Sequence, residues 1–387
     1  MLRVISKPWT NLKTPVYASL ALAFASFGDA FFYPFLPVHA EEIGIQIGWV
    51  GLLLSINRFI RIFSNPLLVK IFSRYGFKWM TLVAVILAII STAGYGMGLE
   101  MMGWLMLRVL WGISFSALRL SSLGYALQHP SADFSLGISR GIYELGPMFA
   151  LLVGPLLIKT WNPAVTFLML AAASLPALYF AWHLPDLKHA PPTKKYPLLS
   201  IPSTFNLLTL ITTFLVEGML IVLLGKLLLE TDHHLTATSA IALAAAWLVF
   251  RRVSFLVFAP AGGYLADQWG LDRLFSGSVI LICLGFILLC FNHSFLGLSI
   301  IFIANSINAS LAPGGASQGE EDKVQAVAEN ATWRDIGAAL GALAGGLLLS
   351  SDHLHRIFML AVMLLLMVLC LHLKDSKHLL KKLLSWN

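Results

Sequence analysis

Charged residues are scarce in this sequence of 387 residues. Asp, Glu, Lys and Arg together make up 12% of the chain, whereas hydrophobic residues make up 58%. A soluble domain carries about 25% charged residues, because its surface has to interact with water. The small charged fraction therefore excludes an ordinary soluble domain and predicts a protein that is built for lipid.

Cysteine is scarce as well, and Cys283, Cys290 and Cys370 all lie within apolar runs. They are not placed to form a disulfide framework or a metal cluster. The histidines fall in loops or near the ends of apolar runs, whereas an intramembrane enzyme needs His or paired acids at membrane depth. We therefore expect no enzyme activity, no cofactor and no metal site. The alternative is a loose outer metal site at His233-His234 or His353-x-His355.

Long apolar runs are abundant. A membrane-spanning helix needs about 20 predominantly apolar residues. Candidate spans lie at 15–38, 48–71, 79–98, 104–127, 135–158, 164–183, 204–229, 237–265, 273–292, 296–313, 326–349 and 356–373. The sequence thus predicts an all-α membrane protein with twelve transmembrane helices.

A basic, proline-rich segment at 184–203 has the composition of an extended cytoplasmic linker. It divides the spans into an N-terminal six-helix bundle at 1–183 and a C-terminal six-helix bundle at 204–373. The remaining residues, 374–387, interleave Lys with Leu and Trp, and we expect this basic amphipathic tail to lie on the inner leaflet.

The distribution of Lys and Arg predicts the orientation. With the N-terminus inside, fifteen of these residues fall in cytoplasmic segments, against Lys159 and Arg356 on the other side. This positive-inside bias places both termini in the cytoplasm of a protein of the inner membrane. The net charge of +7 is explained by this bias, and no motif for binding nucleic acid accompanies it.

Two turns between apolar runs share one pattern. In the later turn, Asp267 lies between Gly263 and Gly270. Adding 194 to the residue numbers of the earlier turn places Ser73 at the position of Asp267 and Gly76 at that of Gly270. Glycine permits a tight turn and a close approach of two backbones. The predicted gate residues are Ser73, Arg74, Gly76, Gly263, Asp267, Gly270 and Arg273.

The later turn resembles the cytoplasmic loop motif of the major facilitator superfamily, Gly-x-Leu-Ala-Asp-Arg-x-Gly-Arg-Lys. Gln268 and Leu271-Asp272 depart from its basic positions, and Ser73 departs from its acid in the earlier copy. The resemblance implies two pseudo-symmetric bundles around a central cavity, which opens alternately to each side. It also implies that the first, fourth, seventh and tenth spans line the cavity.

Ionisable residues at membrane depth are the main functional signal, because an unpaired charge in hydrocarbon is costly. Arg58 and Arg61 share a helix face in the second span. Arg108 begins a stretch that resembles the Arg-x-x-x-Gly motif, which the family often ties to proton transfer. The candidate residues for substrate binding and proton coupling are Asp29, Arg58, Arg61, Arg108, Arg119, Tyr143, Glu144, Glu217, Arg252, Asn305 and Asp335.

Two points stay open at this stage. The internal repeat pairs Glu144 with Asp335 at an offset of 191, or Arg140 with Asp335 at an offset of 195. Arg251 and Arg252 point about 100° apart on their helix, so we expect one of them to face the cavity. Arg252 is favoured, because the offset of 194 relates it to Arg58.

Arginines outnumber acids at this depth. The acids are Asp29, Glu144, Glu217 and Asp335, and the arginines are Arg58, Arg61, Arg108, Arg119, Arg140, Arg251, Arg252 and Arg334. The excess predicts a substrate with an anionic group. Asp29 and Glu217, in the first and seventh spans, are the hypothesised proton-coupling acids. No ATP-binding motif is present, so we expect an ion gradient to supply the energy.

The sequence therefore predicts a monomeric secondary transporter for a small amphipathic anion or zwitterion. Gly146-Pro147 resembles part of the motif of proton-driven exporters, which favours proton-coupled export. One alternative is proton-coupled uptake of an organic anion. Another, favoured by Ser73 at the gate, is a sensor or assembly factor that has the fold but transports nothing.

Overall fold

The structure is a computed structural model that describes residues 11–40, 42–187, 201–231, 237–348 and 353–384. Most of the predicted linker, with Lys188, Lys194 and Lys195, lies outside these ranges, as does His233-His234. The amphipathic face predicted for the tail lies outside the described side chains, which end at residue 375.

The described chain is helical. The helices are α1 (Lys13–Ala25), α2 (Phe27–His39), α3 (Ile47–Tyr75), α4 (Phe77–Gly94), α5 (Met101–Leu127), α6 (Ala132–Thr160), α7 (Pro163–Ala173), α8 (Pro176–Trp182), α9 (Thr204–Thr212), α10 (Ile221–Thr231), α11 (Ala237–Trp269), α12 (Leu271–Cys290), α13 (Ser294–Ser317), α14 (Lys323–Leu347) and α15 (Leu354–Leu384). A π-helical segment, Thr213–Leu220, joins α9 to α10 without a break.

Each predicted span has a helical counterpart. Ten described helical spans are long and apolar enough to cross a membrane, and α1 with α2 adds an eleventh if this pair, bent by 45°, is one span. The helix at the remaining predicted position, α14, does not meet the same criterion. It carries Arg334 and Asp335 near its middle, and both side chains are buried against other helices.

Glycine ends the helices that precede the two gate turns. Gly76 separates α3 from α4 with φ of 80°, and Gly270 separates α11 from α12 with φ of 93°. Side chains rarely adopt this left-handed backbone conformation, so glycine is the residue that permits both turns. The two equivalent positions therefore turn the chain in the same way in both halves.

Two apolar cores lie side by side. One is drawn from α9 to α15 alone, and it includes Phe275, Phe286 and Phe358. The other half has its own clusters, one of which packs the aromatic rings of Phe32, Tyr95 and Trp104 together. A third cluster of the N-terminal half also includes Val324, Val327 and Ala328 of α14, so the two halves share apolar contacts where α14 packs against the other bundle.

The two bundles meet most closely at the end that carries the gate turns. A Cβ atom at Gly137 would collide with the carbonyl oxygen of Ala259, and one at Gly263 would collide with that of Asp133. Small residues let the backbones of α6 and α11 touch here. This end of the protein, predicted to be cytoplasmic, is closed in the structure.

Candidate functional site

Four carboxylates in the middle of the helices organise the buried arginines. Three of them, Glu144, Glu217 and Asp335, are each contacted by two arginines, whereas Asp29 is paired with one. An acid that serves two guanidinium groups leaves a net positive charge in its surroundings. The site as a whole has eight arginines and four acids, so its formal charge is +4 (8 − 4).

The Asp335 centre joins the two halves. Its carboxylate lies 3.0 Å from Nη2 of Arg61 and 3.6 Å from Nη1 of Arg119. The amide of Asn65 donates to the other carboxylate oxygen at 3.3 Å. All three partners come from the N-terminal half, on α3 and α5, while Asp335 lies on α14. These contacts have to separate if the bundles move apart at this depth.

The Glu144 centre also joins the halves. Arg140, one helical turn away on α6, lies 2.8 Å from one carboxylate oxygen, and Arg252 on α11 lies 2.9 Å from the other. The guanidinium of Arg140 also stacks over the ring of Phe255, with 4.3 Å to the ring centroid. Glu144 is 2% exposed, so its two short ion pairs are shielded from solvent.

The Glu217 centre lies within the C-terminal half. Its carboxylate is 2.6 Å from Nη2 of Arg334 and 3.6 Å from Nη2 of Arg251. Glu217 belongs to the π-helical segment, and such segments occur frequently at functional sites. Arg251 and Arg252 therefore both reach acids, one in each half, because their side chains leave the helix in different directions.

The Asp29–Arg108 pair differs from the other centres. Arg108 is completely buried and lies 2.5 Å from Asp29. Its Nε donates to the carbonyl of Leu53 at 2.7 Å and its Nη1 to the hydroxyl of Tyr95 at 3.2 Å. The ring of Phe32 covers the guanidinium at 4.7 Å. All of these partners belong to the N-terminal half.

Arg58 and Asn305 are the candidate residues without such a partner. Arg58 is half-buried and makes no ion pair with any acid in the described ranges; the nearest charged or polar groups that act on it include Tyr33 and Asp335. Asn305 is fully buried, and neither atom of its amide has a hydrogen-bond partner among the described residues. The buried amide of Asn305 therefore has unused hydrogen-bonding capacity.

A central cavity lies beside three of the arginines. Arg119 and Arg140 line it from the N-terminal half and Arg334 from the C-terminal half, and it is partly open to solvent. Phe115 and Tyr143 supply aromatic walls. The serines of the lining are Ser122, Ser139 and Ser310. This combination suits an amphipathic ligand with an anionic end.

The two gate turns differ in their contacts. Asp267 accepts a hydrogen bond from the backbone N–H of Phe134 at 3.3 Å, and thereby ties α11 to α6 of the other half. Ser73 instead donates to the carbonyl of Lys70, one turn back in its own helix, at 2.8 Å. Arg74 and Arg273 are exposed. The acid of the later copy thus holds the halves together, and the serine of the earlier copy does not.

Equivalent helix crossings bear on the open question of the repeat. A Cβ atom at Gly146 would collide with the carbonyl oxygen of Ala23, and one at Gly341 would collide with that of Phe214. Gly146 and Gly341 are 195 residues apart (341 − 146), so this crossing favours the offset of 195. It pairs Arg140 with Asp335, which means that equivalent positions carry opposite charges.

Four members of the network were not among the candidate residues. They are Arg140, Arg251 and Arg334, which the sequence includes in the charge excess, and Asn65. Any Arg within a span needs a counterion or water, and that rule applied to all buried arginines would have included the first three. Asn65 carries no comparable signal. Within the described ranges, no group of three His, Cys, Asp or Glu residues could hold a metal ion.

Comparisons with known proteins agree with this architecture. The family model described as Major Facilitator Superfamily matches residues 18–250 and 206–386. The multidrug resistance protein MdtG of Klebsiella pneumoniae (strain 342) is 24% identical over 87% of this chain and 86% of its own length. The inner membrane transport protein YnfM of Escherichia coli (strain K12) is 28% identical, over 50% of this chain and about half (49%) of its own.

Solved structures have the same fold. The human organic anion transporter MFSD10 (TETRAN) superposes with a TM-score of 0.73 at 16% identity, over 93% of this chain and 98% of that chain. A bacterial homologue of the iron transporter ferroportin in an outward-facing state superposes with a TM-score of 0.68 at 14% identity, over 95% and 100%. At such identities the likeness establishes the fold alone.

Proposed function

This chain belongs to the Major Facilitator Superfamily, and from that premise we propose that it is a secondary active transporter for a small amphipathic organic anion or zwitterion, coupled to protons. Its relatives indicate a multi-pass membrane protein that transports small molecules. The substrate class and the coupling are our proposal, and they rest on the charged network in the middle of the helices.

The excess of four positive charges carries the proposal. Three acids already serve two arginines each, so the network has no further carboxylate with which to neutralise the remainder. Water in the cavity offsets part of the cost of this excess. A carboxylate or phosphate on a ligand would offset it more fully, because guanidinium groups bind such anions through two parallel hydrogen bonds.

The ion pairs between the two halves support a mechanism of alternating access. Arg61 and Arg119 reach Asp335 from the other half, and Arg252 reaches Glu144. The gate end is closed, and one of the structural relatives was solved in an outward-facing state. We propose that this structure corresponds to a state closed to the cytoplasm, and that rocking of the bundles exchanges these cross-half pairs.

The direction of transport has two candidates. Gly146-Pro147 and the name of the multidrug resistance relative favour proton-coupled export. Uptake of the anion together with protons is the second candidate. Uptake is favoured because some arginines that line the cavity are also ion-paired with a buried acid. Protonation of that acid would release its arginine, which could then bind the anion of a ligand.

Binding of matched ligands tests the substrate class. Benzoate, benzylamine and benzamide have the same ring and differ in charge, and a ligand of the folded state raises its apparent thermal stability. We expect benzoate to stabilise the purified protein in detergent more than the other two. Arg119→Gln is expected to remove most of this advantage. A preference for benzylamine that Arg119→Gln leaves unchanged would contradict the proposal.

Flux separates transport from a sensor or assembly role. Benzoate itself permeates lipid in its neutral form, so the substrate for this experiment is a permanently charged aryl sulfonate. We expect wild-type protein in proteoliposomes to exchange the labelled sulfonate across the membrane faster than vesicles without protein. Binding without any flux would favour the non-transporting alternative, which the serine at the gate suggested.

A further inference from the structure

Arg119 is the arginine of the cavity with the weakest ion pair. It lies 3.6 Å from Asp335, whereas Arg140 and Arg334, which line the same cavity, lie 2.8 and 2.6 Å from their acids. Asp335 has a closer partner in Arg61, at 3.0 Å. Arg119 can therefore turn towards a ligand with a smaller loss of existing contacts than either of the other two.

The charges around Arg119 are unbalanced. Arg61, Arg140 and Arg334 act on it as neighbouring cations, and Asp335 is the acid that acts on it. The site around this guanidinium is consequently positive even while Asp335 is ionised. A ligand anion placed beside Arg119 would reduce the repulsion among these four arginines.

Ser139 provides an independent sign of a ligand. It lines the cavity, it is 3% exposed, and its hydroxyl has no hydrogen-bond partner among the described residues. A buried polar group without a partner loses about 1–3 kcal/mol of solvation free energy. A ligand oxygen in the cavity could accept the hydrogen bond that this hydroxyl lacks.

We infer that the anionic group of the substrate binds at Arg119 and Ser139, and that Asp335 takes up the proton that is transported with it. This inference rests on the proposed function and specifies its site. While Asp335 is ionised, it holds Arg119 and repels an incoming anion. A hydronium ion on the side to which the cavity is open transfers its proton to Asp335 and leaves as water, and the new O–H bond removes the repulsion and releases Arg119.

Charged groups on several helices surround Asp335. On α3 these are Arg58 and Arg61, on α5 Arg119, on α6 Arg140, and on α14 itself Arg334 and, nearer the gate end, Glu329. The π-helical segment contributes Glu217, which Arg334 and Arg251 already contact. The segments α9 and α13 contain no ionisable side chain, and Lys226 and Glu230 lie towards the far end of α10.

Glu144 is the competing acid, since Arg140 also lines the cavity. Both of its ion pairs are short, at 2.8 and 2.9 Å, so protonation would break two strong contacts to release one arginine. At Asp335 protonation weakens the contact to Arg61 at 3.0 Å and the contact to Arg119 at 3.6 Å, so only one of the two ion pairs lost is short. The geometry therefore favours Asp335 as the proton site over Glu144.

Proton binding at Asp335 and anion binding in the cavity are expected to strengthen each other. If protonation of Asp335 strengthens anion binding by some factor, anion binding strengthens proton binding by the same factor. Proton and anion then bind together and cross together. A proton gradient directed into the cell would drive uptake of the anion, which is the opposite of the export predicted from Gly146-Pro147.

The test counts protons during binding. Calorimetric titration of the full-length protein with benzoate, in buffers that differ in ionisation enthalpy, gives the number of protons taken up per benzoate bound. We expect about one for wild type, and an affinity that rises about tenfold from mildly alkaline to mildly acidic pH, within the usual range for coupled sites. Arg119→Gln should weaken binding at least tenfold at every pH.

Variants of the acid assign the proton. Asp335→Asn is expected to bind benzoate with no proton uptake and no pH dependence, and Asp335→Glu to restore both. Glu230→Gln is the matched control, because Glu230 pairs with Lys226 away from the cavity, and it should titrate like wild type. Proton uptake that survives in Asp335→Asn, or that disappears in Glu144→Gln or Asp29→Asn instead, would overturn the assignment.

The outcomes also separate this inference from the proposed function. If wild type binds benzoate without proton uptake, the inference fails and the anion transporter stands. If wild type does not bind benzoate, the proposed substrate class fails, and the inference fails with it.

Discussion

The Asp29–Arg108 pair and the Asp335 centre are two buried ion pairs of the same chain with different surroundings. Arg108 is enclosed by groups of its own half, with the Leu53 carbonyl, the Tyr95 hydroxyl and the Phe32 ring around it. Asp335 is held by arginines of the opposite half, one of which, Arg119, lines the cavity. A pair complete within one bundle can stabilise that bundle through a whole transport cycle. A pair between bundles has to be remade in every cycle.

The largest effect is expected for Asp29→Asn. Arg108 is completely buried, so removal of its counterion leaves an uncompensated charge, which destabilises a protein by about 3–5 kcal/mol. We expect this loss in thermal or denaturant unfolding of the purified variant. Asp29→Leu combined with Arg108→Met should recover most of the stability. A stability of Asp29→Asn equal to that of wild type would show that the pair does not have this structural role.

The next effect concerns the hypothesis that Asp29 or Glu217 carries the proton. If either does, Asp29→Asn or Glu217→Gln abolishes flux driven by a pH gradient while exchange without a gradient continues. We expect Glu217→Gln to keep gradient-driven flux within about threefold of wild type, because Glu217 pairs only with Arg251 and Arg334 of its own half, and its protonation would break no ion pair between the bundles. Complete loss of coupling in Glu217→Gln would contradict this comparison and restore the earlier hypothesis.

A smaller effect is expected at the gate. Asp267 holds α6 to α11 through a hydrogen bond to a backbone N–H, and a hydrogen bond to a charged group contributes about 1.5–3 kcal/mol. Asp267→Asn should therefore slow the conformational cycle more than it weakens ligand binding. Turnover and affinity measured on the same preparation check this. Normal turnover with reduced affinity would exclude the gate role.

The smallest effect is expected for Ser73→Asp, which restores the acid of the family motif in the earlier copy. Ser73 is near the surface and bonds within its own helix. The side chain of Asp186 already lies against Gly76, so this turn has an acid from another segment. We expect turnover within about twofold of wild type and stability within about 0.5 kcal/mol. A large gain in turnover would mean that the missing acid limits the cycle.

The fold could be predicted because it follows from local features. Apolar runs of sufficient length predict the spans, and the glycines at 76 and 270 predict the turns between them. The bend at Ser26 and the π-helical segment Thr213–Leu220 could not be predicted, because each interrupts an apolar run that is long enough for one continuous helix. Both lie in helices that pack closely against a glycine of a neighbour, and that packing is a tertiary effect.

The site was only partly accessible from the sequence. Depth in the membrane identified the acids and most of the arginines, but it could not identify which arginine contacts which acid. Arg251 and Arg252 illustrate the reason. A difference of about 100° in direction suggested that one of them faces the cavity, yet acids lie on both sides of α11, and each arginine reaches one. Partners depend on neighbouring helices, which periodicity does not specify.

The contact of Gly263 with the backbone of Asp133 offers a means of locking the protein. A methyl group at residue 263 has no room while α6 and α11 touch, so Gly263→Ala would act as a wedge between the bundles. The wedge leaves every charged residue of the central site in place. It would enrich the conformation that is open at the gate end, and would supply a uniform sample of that state for crystallisation, for raising state-specific antibodies, or for inhibitors that enter from that side.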